Sequence, residues 1–440
     1  MIGFAGLSHL GINYSLATAA KSCEVVAFHP SAELVADLSK GKLPIEEPGL
    51  AELFSENQSR IRFTANARHL SACELVFVAL DVKTDDANQS DTAPLTELIK
   101  QTVPHLRKGG TLVLLSQVNP GFTRKLHEEL LCGSSEGEVF YQVETLIFGR
   151  AVERALKPER FMVGAADPAK PLPGHLRRWH ESFGCPVLVM RYESAELAKI
   201  AINFFLVSSV STTNTLAEIC ERIGADWNEM APALRLDARI GPKAYLTPGL
   251  GIAGGNLERD LVTVKQLAAG TQAETGIVDA WQRNSEHRKD WTARTLREAF
   301  ARCSRKLDGA TIAVWGLAYK ENTHSTRNSP SLQFIASIPE CHKRAFDPVV
   351  KLSAAAFPQF AQCGTATDCC RGADALVIPT PWPQFRAADL KSLRSAMRGN
   401  IMLDPFGLLN GVQAAALGFD YYRLGVPPRC GAPSTASAQA

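Results

Sequence analysis

The feature that most constrains this chain is a glycine turn set between a strand and a helix at its very start. Met1–Ala5 reads as a strand, Gly6-Leu7-Ser8-His9-Leu10-Gly11 as the turn, and Leu10–Ala20 as the helix that follows. Gly6 permits the tight bend. A small residue at position 8 lets the backbone approach a pyrophosphate at the helix N-terminus, and Gly11 lets helix and strand pack closely. Ser8 is small enough for this, although glycine is the usual residue there.

The pattern then repeats. Apolar, β-branched runs at Glu24–Phe28, Glu74–Leu80 and Thr111–Ser116 alternate with helical stretches such as Ser31–Ser39. Strand alternating with helix means βαβ units and a parallel sheet buried on both faces. Residues 1–190 are therefore expected to form a Rossmann-type dinucleotide-binding domain. The second strand of such a domain usually ends in an acid that binds the ribose hydroxyls. Here His29 stands in that place. NAD is the expected cofactor, with NADP or weakened dinucleotide binding as alternatives.

From Ser194 the pattern changes to long helical runs: Ser194–Gly224 with Ser194 as N-cap, Asn256–Leu267, and Thr275–Ala299. This predicts a central helical domain over 191–300 with a long spine helix. The α/β pattern restarts at Thr311–Gly316 and continues through Ala375–Ile378 and Ile401–Leu403, predicting a second Rossmann-type domain over 301–425. Residues 426–440, rich in Pro, Ser, Ala and Gly, read as a disordered tail. A length of 440 residues suits about two to four domains.

A net charge of +2 gives no footprint for nucleic acid or an anionic membrane, and no uninterrupted apolar run reads as long enough to span a bilayer. The N-terminus enters a strand with no basic region before it, so the expected location is cytoplasmic. The eleven cysteines include no CxxC pair, which argues for reduced, mostly buried thiols and against a zinc site.

Five stretches, in order, carry a specific resemblance. They are Gly41-Lys42-Leu43-Pro44-Ile45-Glu46-Glu47-Pro48-Gly49-Leu50; Ser116-Gln117-Val118-Asn119-Pro120-Gly121; Ala195-Glu196-Leu197-Ala198-Lys199-Ile200-Ala201-Ile202-Asn203; Pro248-Gly249-Leu250-Gly251-Ile252-Ala253-Gly254-Gly255; and Gly316-Leu317-Ala318-Tyr319-Lys320 with Thr326-Arg327-Asn328-Ser329-Pro330. Together they resemble the UDP-glucose/GDP-mannose dehydrogenase family over residues 1 to about 425. The resemblance implies an NAD domain, a helical dimerising middle and a nucleotide-sugar domain. It also implies a nucleotide-sugar ligand, most readily a UDP-sugar, a homodimer through the central helices, and a role in polysaccharide biosynthesis.

Oxidising an alcohol needs a group to manage the departing proton and donors to stabilise alkoxide character. Lys199 and Asn203 are spaced i, i+4 and so share a helix face. The resemblance makes them the pair that holds a water and an oxyanion near the reacting carbon. It makes Asp260 the residue that orders the catalytic water, Glu144 a general base, and Gln117 a neighbour of the sugar. Gly6, Ser8, Gly11, His29 and Arg327 are assigned to the cofactor. Arg239, Lys243, Tyr245, Gly249, Gly251 and Lys320 are assigned to the substrate. No metal is expected.

The departures are as informative. The family loop carries a nucleophilic cysteine where this chain has Asn256, within Gly255-Asn256-Leu257-Glu258-Arg259-Asp260. An amide nitrogen is not nucleophilic and cannot capture an aldehyde. Phe148, His324, Ser325 and Phe406 also replace charged family residues. Three readings follow: a nucleotide-sugar oxidoreductase with altered chemistry that stops after one hydride transfer or oxidises an aldehyde hydrate without covalent capture; a non-catalytic or regulatory nucleotide-sugar-binding homologue; or a conventional four-electron dehydrogenase with its cysteine supplied from elsewhere.

Overall fold

The computed structural model describes residues 1–85, 89–130, 137–253 and 255–431. The chain forms two compact units, Met1–Ile202 and Asn203–Ala440. This division by compactness is coarser than the expected three segments bounded at 190 and 300. The border falls inside the long helix Tyr192–Ile223, because its first turns are core residues of the first unit. Tyr192 and Ala195 are buried there, with Ala198 and Ile202 packed against them.

The first unit holds β1 (Ile2–Ala5), β2 (Val25–Phe28), β3 (Ile61–Thr64), β4 (Leu75–Val78), a small hairpin of β5 (Lys83–Thr84) and β6 (Ser90–Asp91), β7 (Thr111–Leu114), β8 (Glu138–Gln142), β9 (Phe161–Ala165) and β10 (Val187–Arg191). All but the hairpin join one sheet, ordered β10-β9-β8-β7-β4-β1-β2-β3. Pairing is parallel except between β8 and β9. Side chains alternate between two buried faces. Phe4, Ala27, Phe77 and Val113 enter one core, and Ala5, Phe28, Val78 and Leu114 enter the other. This is why the strands read as continuous apolar runs.

The second unit holds β11 (Thr311–Trp315), β12 (His342–Phe346), β13 (Phe360–Gln362), β14 (Ala375–Val377), β15 (Ile401–Leu403), β16 (Asp420–Arg423) and β17 (Val426–Arg429). Their order is β13-β12-β11-β14-β15-β16-β17, parallel except for the last pair. Strand β17 corrects the reading of 426–440 as tail. Val426 is buried, and the strand turns back on β16. Residues 432–440 of that expected tail lie outside the described residues, as does Gly254 of the glycine-rich loop.

Two details of the helices differ from expectation. The long helix begins at Tyr192, so Ser194 is inside it and is not its cap. That helix is also long and apolar enough, by length and composition, to cross a membrane, which corrects the expectation that no stretch qualifies. A third of its most apolar window is buried. Its asparagines are engaged within the second unit: Asn203 donates to Asp260, and Asn214 accepts from the Gly249 amide.

Candidate functional site

The first glycine turn is built as the sequence implied. Gly6 has φ +96°, in the left-handed region. A Cβ on Gly11 would lie 1.9 Å from the Gly6 carbonyl oxygen, so only glycine lets this helix start so close to β1. Ser8 does more than stay small. Its hydroxyl donates to Ala79 O (3.3 Å) and accepts from Asp81 N (2.9 Å), tying the turn to the end of β4. The turn therefore has the backbone shape that cradles a dinucleotide diphosphate.

Two side chains modify that cradle. The exposed Asp81 carboxylate accepts from Leu10 N (3.2 Å), placing a negative charge at the helix N-terminus where a diphosphate would approach. At the end of β2, His29 Nδ1 accepts from Ser31 N (3.1 Å), and burial holds its pKa below the usual histidine range. An unprotonated ring turned to its own loop cannot replace the ribose-binding acid.

Beside the turn, His9 Nε2 meets Glu47 Oε1 at 2.8 Å, and the Phe148 ring lies over the imidazole with centroids 4.4 Å apart. Glu47 is buried and also accepts from Gly149 N (2.9 Å) and Ala151 N (3.3 Å). The Glu-Pro-Gly-Leu loop thus fastens the glycine turn to the start of the Ala151–Leu156 helix. Phe148, read as the loss of a charged residue, packs on this histidine.

Further along the first unit, Lys199 Nζ pairs with Glu144 Oε1 (2.9 Å) and donates to the Glu144 carbonyl (3.1 Å). The other Glu144 oxygen accepts from Leu146 N (2.8 Å). Both side chains are mostly buried, so the pair is more than a solvated surface contact. Gln117 is half-buried just past β7. On the helix that carries Lys199, Glu196 is wholly buried and accepts from Gly121 N (2.7 Å) and Thr123 N (2.8 Å), capping the Phe122–Leu130 helix. Burial pushes its carboxyl pKa up.

In the second unit Asn203 donates to Asp260 Oδ2 at 2.5 Å, and Arg259 Nε pairs with Asp260 Oδ1 at 3.1 Å. Asp260 is 1% exposed, so its charge needs partners such as these. Asn256 is exposed as the first residue of the Asn256–Ala268 helix, which Gly255 opens at φ +97°. A Cβ on Gly255 would lie 2.8 Å from Arg327 Nε, so Arg327 reaches this turn.

The glycine-rich loop is fastened by residues the sequence reading did not single out. Gly249 N donates to Asn214 Oδ1 (2.8 Å) and Ile252 N to Ser285 Oγ (2.8 Å). Gly251 has φ +82°, and a Cβ there would lie 2.6 Å from Ser285 O. Glu258 pairs with buried Lys289 (2.9 Å) and accepts from Asn328, which sits at φ +50°. Burial works against the Lys289 charge, but Glu258 and Glu286 outweigh it and raise its pKa. Tyr245 is half exposed, and its carbonyl accepts from Thr213 (3.0 Å). Lys320 lies over the Tyr319 ring at 5.6 Å. Arg239 is 89% exposed and folds onto Asp237 in its own turn (2.7 Å), and Lys243 is exposed nearby in sequence.

Glu196 and Glu47 lay inside quoted motifs without a role. Asp81 carried a usable signal, being the first charged residue after the strand that neighbours β1.

Family models match along the chain in order: the NAD binding domain of the UDP-glucose/GDP-mannose dehydrogenase family at residues 1–182, its central domain at 193–286 and its UDP binding domain at 313–411. The chain is 29% identical to a UDP-glucose 6-dehydrogenase of Pseudomonas aeruginosa, covering 96% of each. It is 27% identical to UDP-glucose 6-dehydrogenase TuaD of Bacillus subtilis, covering 97% of this chain and 93% of that one. Among solved structures, a UDP-D-ManNAc dehydrogenase from Pyrococcus horikoshii shares the fold with TM-score 0.83 at 23% identity, over 97% of this chain and 99% of that one. A UDP-glucose dehydrogenase from Pyrobaculum islandicum gives 0.78 at 25% identity, over 92% and 93%.

Proposed function

Because this chain belongs to the UDP-glucose/GDP-mannose dehydrogenase family, we propose that it is an NAD-dependent oxidoreductase of a UDP-sugar that stops after one two-electron step. The observation that carries this is the state of the Asn256–Ala268 helix. The Asn203–Asp260 bond is intact one turn along it, while an exposed amide, Asn256, stands where the sequence resemblance puts the family nucleophile.

The Gly6, Ser8 and Gly11 turn would hold the dinucleotide, with His29 at the ribose end. When bound, NAD supplies the hydride acceptor. The Lys199 ammonium carries three protons, and two point at the Glu144 carboxylate and carbonyl. The third is a donor for an oxygen that gains negative charge as its proton leaves. Asp260, held by Arg259, fixes the amide of Asn203 in one orientation. Gln117 lines the sugar, and Arg239, Lys243, Tyr245, Lys320 and the Gly249–Gly251 backbone serve the nucleotide and sugar. No thiol stands at position 256 to form a thiohemiacetal, so the second oxidation lacks its covalent carrier.

NADH formed per limiting UDP-glucose, followed by absorbance, tests this. One equivalent is expected. Two would sink the reading and restore a four-electron dehydrogenase. The second reading, a nucleotide-sugar-binding homologue without turnover, is favoured by Asp81 at the diphosphate position and by His29. UDP-sugar binding with neither NAD binding nor turnover would select it.

The same reading includes a homodimer through the long helix, where Phe205 is 78% and Ile223 71% exposed. It also includes a cytoplasmic location, in keeping with described cysteines that are all free thiols.

A further inference from the structure

The turn Gly6-Leu7-Ser8-His9-Leu10-Gly11 holds one ionisable side chain, His9. It opens the His9–Ala20 helix, whose first N–H groups have no partner within the helix. A diphosphate on this turn meets opposition, because the Asp81 carboxylate already accepts from Leu10 N (3.2 Å). The turn brings no lysine or arginine of its own to answer that charge.

The His9 ring is held at its far end. Nε2 lies 2.8 Å from Glu47 Oε1. Glu47 also accepts from Gly149 N on both oxygens (3.1 and 2.9 Å) and from Ala151 N (3.3 Å). A carboxylate is a weaker base than imidazole, so the proton shared with Glu47 belongs to Nε2. Nδ1 is then the nitrogen that gains or loses a proton. It is joined to Cβ through Cγ alone, so it stays beside the first turn of the helix. Among the described residues Nδ1 has no hydrogen-bond partner. The His9 side chain is 12% exposed and that of Glu47 1%. Phe148 covers the imidazole with ring centroids 4.4 Å apart. An aromatic face and a buried carboxylate are the partners of a cation.

We propose that His9 is a dinucleotide-binding residue that takes up a proton at Nδ1 when the diphosphate of NAD settles on the turn. The imidazolium, backed by Glu47, supplies the positive charge that the turn otherwise lacks. No covalent bond to carbon changes; one proton passes from solvent to Nδ1. Glu47 acts through His9 and is a positioning residue. The proposal rests on the reading that NAD lies on the Gly6–Gly11 turn.

The other charged groups on the surrounding loops and helices are engaged elsewhere or exposed. Glu144 pairs with Lys199, Arg150 with Glu153, and Arg154 donates to Thr145 O. Glu46, Glu52, Glu56 and Lys83 are exposed. Carboxylates, lysine and arginine do not ordinarily titrate between pH 6.5 and 8.5. Burial lowers the pKa of His29, the histidine at the ribose end of the cradle. Linkage then fixes the direction. A nitrogen protonated in the complex and not in the free chain takes up its proton on binding, so NAD binds tighter as pH falls. From pH 8.5 to 6.5 its affinity should rise roughly three- to tenfold.

The full chain is titrated with NAD by calorimetry at pH 7.5 in Tris and in HEPES, whose heats of ionisation differ. The difference in binding heat counts the protons. Uptake of about half a proton or more per NAD is expected. His9→Gln keeps an N–H for Glu47, and should abolish the uptake and weaken NAD about tenfold. Glu47→Gln removes only the backing charge and should lower the uptake. Uptake below about 0.1 proton in the wild-type chain, or uptake that His9→Gln leaves unchanged, would overturn the proposal. With Asp81→Asn still altering NAD affinity, either result would leave the dinucleotide on the turn. The underlying reading fails differently: if neither His9→Gln nor Asp81→Asn changes NAD affinity, the dinucleotide lies elsewhere and the proposal falls with it.

Discussion

The two sheets share one plan and use it differently. Around β1 and around β11 the strand order is the same, with the second strand on one side and the fourth on the other. Both glycine turns are left-handed, Gly6 at φ +96° and Gly316 at φ +99°. Both second strands run into Phe-x-Pro: Phe28-His29-Pro30 and Phe346-Asp347-Pro348. In the second unit the x residue is the acid that a dinucleotide fold normally offers to ribose. Yet Asp347 is wholly buried. It accepts from Leu317 N (2.6 Å), Ala318 N (3.1 Å), Val349 N (2.9 Å), Val350 N (2.8 Å) and Trp382 Nε1 (3.1 Å). The second turn is closed on its own carboxylate. In the first unit His29 makes no such closure, and the turn keeps the shape that accepts an anion. The same pattern therefore leaves the first turn free of its own strand-end residue, with Asp81 reaching it from the neighbouring strand, and closes the second on the acid that ends its second strand.

Breaking the knot should have the largest effect. Asp347→Ala leaves five donors, four of them buried, without their acceptor and should destabilise the second unit by roughly 3–5 kcal/mol. Urea unfolding read by hydrogen exchange on β11 and β12 peptides measures it. A loss below about 1 kcal/mol would mean the knot is not what holds that turn.

Acid should separate the halves next. His180, buried in the first unit, has its pKa lowered from 6.5 to about 4 by desolvation. Its folded pKa lies below the unfolded value, so its contribution is complete above pH 6.5 and is lost as pH falls toward about 4, a change of roughly 3 kcal/mol. Asp404 in the second unit runs the other way. Burial raises its pKa, so its contribution is complete below the ordinary aspartate value of 3.8 and is lost as pH rises through the folded value. Hydrogen exchange between pH 6.5 and 4.5, corrected for intrinsic rates, should show the first unit weakening more. Equal weakening would remove His180 as the cause.

The smallest effects sharpen the cradle. His29→Asp supplies the missing ribose acid and should tighten NAD about tenfold by calorimetry. Asp81→Asn removes the carboxylate from the helix N-terminus and should tighten it a few-fold, less at high salt. If neither variant changes NAD affinity, the dinucleotide does not sit on this turn.

Much of the fold was readable because its signals are local. Gly6, Gly11 and the apolar runs at β1, β2, β4 and β7 specify strand, turn and helix from near neighbours alone. What the sequence reading missed was long-range. Strand β17 is held by β16, and its Pro-containing sequence carries little strand propensity of its own. The unit border at Ile202 depends on which core Tyr192 and Ala195 enter. At the site, Lys199, Glu144, Asn203 and Asp260 were named from motifs, and the structure joins them as two bonded pairs within the two units. Glu258, Lys289 and Ser285 fasten the glycine-rich loop from positions no motif marked.

By itself the sequence determined the α/β grammar, the two glycine turns, the family and the absence of a thiol at position 256. These follow from residue size, backbone freedom and chemistry, which each residue carries wherever it sits. Only the tertiary structure decided that Asp347 closes its turn and that Asp81 reaches the first one. Hydrogen bonds and burial depend on which distant residue arrives within about 3 Å, and that distance is set by the packing of whole elements rather than by any local pattern.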